Sequence, residues 1–152
     1  MGRFGRRTRA LSIGLATLAG LALLMAPEGR LACGEPWLDT TSPDRAWTLR
    51  VCRRPMLFAM PGGSRDAPGW IVLRDSEAAI RGIVHLDMMQ LLGEAYGDPV
   101  WESGQVVLPG LAALPLAHAA GPVSRWLADR VWRLRALTGL VPSDEISAQW
   151  AR

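Results

Sequence analysis

The sequence predicts a small α+β domain: an antiparallel β-meander with a C-terminal amphipathic helix, placed after an N-terminal apolar export helix. Three observations predict it. Apolar and polar residues alternate with period two through Trp47–Cys52, and two further strand-like runs, Trp70–Arg74 and Ile80–Leu86, lie one short turn apart. Residues 122–138 carry apolar positions at helical spacing between Pro122 and Gly139. Four arginines, Arg3, Arg6, Arg7 and Arg9, precede the uncharged run Ala10–Ala26. The chain has 152 residues, enough for one packed domain and too few for a multidomain enzyme or a multi-span transporter.

The leader comes first. A basic start, an apolar run and a polar break at Pro27-Glu28-Gly29-Arg30 have the layout of a bacterial export signal. The arginines would stay on the cytoplasmic side while the rest of the chain crosses. The sequence leaves three fates open. A cut after Ala26 meets Pro27 just beyond it, and a cut after Ala32 has Arg30 three places before it. Retention would leave residues 10–26 as an anchor at the short limit for a membrane span. Leu31-Ala32-Cys33 is close to a lipoprotein box, with the Leu one place too near the Cys. The division expected is therefore 1–32 signal peptide or anchor, 33–140 folded domain, and 141–152 a loosely held tail.

Charge follows the same division. All 17 basic residues are Arg. From Cys33 onward 12 Arg face 13 Asp plus Glu, a net of −1, so the basic balance belongs to the leader. That removes the argument for nucleic-acid binding. Cys33 and Cys52 are the only cysteines, and in an oxidising compartment they are expected to pair. Such a bond closes a loop of about 20 residues, worth about 3 kcal/mol by chain entropy. No Cys-x-x-Cys motif supports thiol-redox catalysis.

Along the domain, Thr41-Ser42-Pro43-Asp44 has turn chemistry. In the strand that follows, Trp47, Leu49 and Val51 share one face and Cys52 lies on the other. Met56–Met60 reads as an extended edge segment and Pro61–Gly69 as a loop. The strands Trp70–Arg74 and Ile80–Leu86 form a hairpin across Asp75–Ala79. In the second of them Ile80, Gly82, Val84 and Leu86 are expected on one face. Asp87 and Gln90 suggest a capped helical turn ending at Gly93. Val100–Glu102 and Gln105–Leu108 read as two short strands around Ser103-Gly104. Leu111–Ala120 is apolar, but Pro109 and Pro115 bar a long helix.

The helix over Pro122–Thr138 is expected to turn Val123, Trp126, Leu127, Val131, Leu134 and Leu137 toward the core. Arg130 falls inside that apolar arc and Trp132 on the polar side, against the pattern. Asp129 and Arg133 form an i,i+4 pair.

No catalytic constellation stands out. His85 and His118 are 33 residues apart and neither has metal-ligand spacing with Cys, Asp or Glu. His85 and Asp87 share a strand face and are the best acid–base pair on offer. Ser64 lacks the strand-turn-helix setting of a nucleophile elbow. Seven Trp beside one Tyr and two Phe point toward binding, because Trp and Arg are enriched at binding hot spots. Arg125, Trp126, Arg130, Trp132, Arg133 and Arg135 are the candidate partner-binding residues, in a segment, Arg125–Arg135, whose net charge with Asp129 is +3.

The layout of leader, early Cys, Thr-Ser-Pro-Asp turn and Trp-containing strand resembles short exported proteins of Gram-negative bacteria, some of them lipoproteins and some toxin-neutralising. The resemblance covers the first third of the chain and supplies no site. The expectation is an exported, periplasmic or envelope-associated, non-enzymatic module that binds a protein partner and needs no cofactor or metal. The alternatives are a membrane-anchored accessory subunit of an envelope complex, held through residues 10–26, and a small hydrolase using His85 and Asp87.

Overall fold

The computed structural model describes residues 14–22, 31, 33, 35–54, 67–89 and 98–143. It contains a helix over residues 14–22 (α1), seven strands and the C-terminal helix α2, Pro122–Thr138. The strands are β1 Leu38–Thr41, β2 Trp47–Arg53, β3 Gly69–Asp75, β4 Ile80–Leu86, β5 Val100–Glu102, β6 Gln105–Leu108 and β7 Ala112–Pro115. The first four form an antiparallel meander in the order β1-β2-β3-β4, and the last three form a second meander, β5-β6-β7. The α+β class holds.

The four-stranded sheet lies in the middle of three layers. On one face Trp47, Leu49, Val51, Ile71, Leu73, Val84 and Leu86 pack against Val106, Leu108, Leu111, Ala112 and Leu114 of the small sheet and its turn. On the other face Trp70, Val72, Ile80 and Ile83 pack against Ala136 and Trp132 of α2, together with Leu31 and Val141. Burial on both faces explains why β3 reads GWIVLRD, an unbroken apolar run rather than an alternating one. Gly82 allows the two sheets to approach: a Cβ there would meet Leu114 Cδ2 at 2.8 Å.

The turns follow their sequences. Ser42 Oγ donates to Asp44 Oδ1 at 2.5 Å and accepts the Trp47 N–H at 2.9 Å, closing the β1–β2 connection. At the β3–β4 turn Asp75 Oδ1 accepts the N–H groups of Glu77 and Ala79. Cys52 lies on the face opposite Trp47, as expected, and is bonded to Cys33 with an S–S distance of 2.09 Å. The predicted strands at 100–102 and 105–108 are present with those bounds.

Four expectations are corrected. Ile80 does not share a face with Gly82, Val84 and Leu86. The register shifts between Leu73↔Gly82 and Arg74↔Ile80, so Arg81 is an extra residue and Ile80 swings to the helix side beside Ile83. The apolar stretch after Pro109 supplies a strand, β7, that the alternation signal was too short to reveal. The start of the tail is held: the His85 N–H donates to the Pro142 carbonyl, Ser143 forms a parallel bridge with His85, and Val141 packs on the core. The helix α2 is rotated from the expected orientation, as set out below. The segment Met56–Met60, residues 61–66 of the predicted loop with Ser64, the helical turn beyond Asp87–Met89, and Trp150 lie outside the described residues. Among the described residues no helix is long and apolar enough to cross a membrane.

Candidate interaction face

The helix α2 has clear local causes. Pro122 occupies its first turn, Ser124 Oγ accepts the Gly121 N–H, and Gly139 ends it at φ 75°, a left-handed conformation glycine adopts without strain. What turns it is a charge network. Asp129 is buried, and its carboxylate accepts the Ile80 N–H at 3.0 Å, Arg133 Nε at 2.7 Å and Arg133 Nη2 at 3.2 Å. Arg125 Nε lies 3.3 Å from Asp75 Oδ2, and Arg125 also pairs with Glu77. The bulged Arg81 donates to the same Asp75 at 3.0 Å. Three carboxylates from two elements thus meet three arginines from two elements at the end of the β3–β4 hairpin.

This network sets the helix with Arg125, Asp129, Trp132, Arg133 and Ala136 toward the sheet. The stripe Val123, Leu127, Val131 then faces solvent, at 77%, 46% and 36% exposure, with Trp126 beside it at 42%. Four residues expected in the core, Val123, Trp126, Leu127 and Val131, are therefore on the outside, while Leu134 and Leu137 are half-buried. Arg130 and Trp132, which broke the sequence pattern, were the signal of this rotation: Trp132 is half-buried against the sheet, and the Arg130 guanidinium stands 5.8 Å above the Trp126 ring. Arg135 stacks 5.1 Å over Trp132. The six candidate partner-binding residues consequently divide. Trp126, Arg130 and Arg135 border the outward side, while Arg125, Trp132 and Arg133 hold the helix in place. The outward stripe itself, Val123, Leu127 and Val131, was not among the candidates. The helix has one acid, Asp129, and it faces inward, so the outward side is apolar with positive borders.

The other candidates are placed as follows. His85 Nδ1 lies 3.1 Å from Asp87 Oδ1, so the structure brings that pair together, and the His85 ring meets Trp70 edge-on at 4.6 Å. His118 meets Trp47 at 4.9 Å, on the opposite face of the central sheet. Two histidines on opposite faces cannot act on one substrate. A groove of about 500 Å³ runs along β4 between Ile83, Leu114, Pro115, Trp132 and Pro142, and neither His85 nor Asp87 is among its described walls. The hydroxyl of Ser42, then the N–H of Ala46, hold the Asp44 carboxyl below its usual range, which is turn chemistry rather than catalysis. Among the described residues no group of three or more His, Cys, Asp or Glu gathers in a way that could hold a metal ion. No protein-family model, no curated protein and no solved structure matches the chain.

Proposed function

We propose that the chain is an exported, non-enzymatic module of the periplasm or cell envelope that binds another protein through the outward side of α2. The observation that carries this reading is the stripe Val123, Leu127, Val131 beside Trp126, an apolar ridge left exposed among the described residues. The ridge runs from Val123 to Val131, about 12 Å along the 17-residue helix, and its i, i+4, i+8 spacing fits the helix-in-groove mode of recognition. Arg135 borders it on one side and Arg130, which also lies 3.9 Å from the Asp129 carboxylate, on the other, with no acid on the outward side of α2. The partner surface is an apolar groove with carboxylates at its edges. Export is supported by the arginine-rich leader and by the Cys33–Cys52 bond, which suits an oxidising compartment.

The test is a photo-crosslinker at residue 127 of the full chain in a Gram-negative host. We expect one discrete envelope-protein adduct, lost in Val131→Glu and kept in Val100→Glu, a control on an exposed apolar residue of the small sheet. Adducts formed with lipid alone, or an adduct unaffected by Val131→Glu, would overturn the reading. A second reading, a membrane-anchored accessory subunit, draws on Leu15, Leu18 and Leu21, all exposed on the described part of α1. It requires the chain to stay with inner membranes through a salt wash.

A further inference from the structure

We infer that Leu31 and Cys33 belong to the finished domain, so that any removal of the leader occurs upstream of Leu31 and Cys33 is not an acyl-bearing N-terminal residue. This rests on the export reading above and deepens it. Leu31 is 3% exposed. It packs into the cluster beneath α2 with Trp70 and Val72 of β3, Ile80 and Ile83 of β4, and Ala136 of the helix. A cut after Ala32 would take that side chain away and leave a hole where three elements meet. Packed cores tolerate such a loss poorly.

Two residues further on, Cys33 is bonded to Cys52, which is 2% exposed at the end of β2. The lipoprotein route needs the Cys33 sulfur for a thioether and needs the chain cut immediately before it. The disulfide occupies that sulfur, and Leu31 lies on the wrong side of that cut. Leu31 and Cys33 therefore fasten the same short stretch twice, once by packing and once covalently. Of the three fates open in the sequence, two remain: processing upstream of Leu31, which leaves the folded domain free of the membrane, and retention of the apolar run. Neither passes through Cys33.

Intact mass of the full chain expressed in a Gram-negative host, measured before and after reduction and alkylation, decides this. The expected result is a first residue upstream of Leu31, two hydrogens fewer before reduction, and two alkyl groups gained only after it. A chain still starting at Met1 with the bond formed also supports the inference and assigns the anchored fate. A chain starting at Cys33 with a diacylglycerol mass, or starting at Cys33 unmodified, overturns it. So do two free thiols at any start point. Leu31→Ala checks the packing separately, with an expected fall of about 1–2 M in the urea midpoint. An unchanged midpoint would remove the reason for keeping Leu31. Failure of the envelope crosslink at residue 127 would leave all these masses as they are, so the two proposals fail separately.

Discussion

The rotation of α2 makes opposite predictions for two substitutions one turn face apart. Asp129→Ala removes the acceptor of the Ile80 N–H, in a residue with no exposure, and the counter-ion of Arg133, whose side chain is 14% exposed. An orphaned buried N–H costs about 1–3 kcal/mol. A buried charge left without its partner costs about 3–5 kcal/mol, less here because Arg133 can turn toward water. A total of about 3 kcal/mol follows, about 1.5 M in a urea midpoint at an m-value of about 2 kcal/mol/M. Leu127→Glu places its charge in solvent and should change stability by about 0.5 kcal/mol or less. If the helix were turned as its apolar spacing suggests, Leu127→Glu would bury a carboxylate at a cost above about 3 kcal/mol, and Asp129→Ala would cost little. Urea unfolding followed by far-UV circular dichroism, with the disulfide intact, separates the two. A costly Leu127→Glu together with a mild Asp129→Ala would refute the orientation and the interaction face with it.

Three further outcomes are expected. Replacing Cys33 and Cys52 together by Ser should lower stability by about 3 kcal/mol, read as the difference between variant and wild-type unfolding without reductant and as no difference with it. Gly82→Ala should cost about 1–2 kcal/mol, because the new Cβ would crowd Leu114 Cδ2, and should cost less in a Leu114→Ala background, by double-mutant cycle. Ser42→Ala should raise the Asp44 pKa toward the ordinary aspartate value, followed by NMR titration of the carboxyl. Because the folded pKa lies below the unfolded one, the contribution of Asp44 is present above the unfolded value and is lost as pH falls through the folded one, so wild type should keep it to lower pH than the variant.

Much of the fold was legible because local chemistry carried it. Trp47–Cys52 alternates cleanly, the β3–β4 hairpin is bounded by turn residues, and Pro122 and Gly139 punctuate α2 at both ends. The three-layer arrangement was less so: β7 is four residues with a proline at its end, too short to show a period. The face of Ile80 depended on a bulge at Arg81, and bulges leave no mark in hydrophobic alternation. The orientation of α2 was misread for a different reason. Apolar spacing on a helix says which residues share a side but not which side meets the sheet. Here the deciding partner of Asp129 is the backbone of Ile80, 49 residues earlier, a contact that no local pattern encodes. The ion-pair network sets the orientation because the hairpin presents the Asp75 carboxylate to Arg125 and the Ile80 N–H to Asp129. Arg130 and Trp132, out of place on the expected orientation, were the residues that hinted at it.

The strap formed by residues 141–143 has a consequence for how the molecule keeps to itself. The outer strand β4 would otherwise present open backbone groups to any passing chain, and stacked edges are how β proteins polymerise. The Pro142 carbonyl meets the outward His85 N–H, and proline has no N–H of its own with which to recruit another strand. A cut after Leu140 would remove both this cover and the Val141 side chain from the helix-side cluster, opening the β4 backbone at His85.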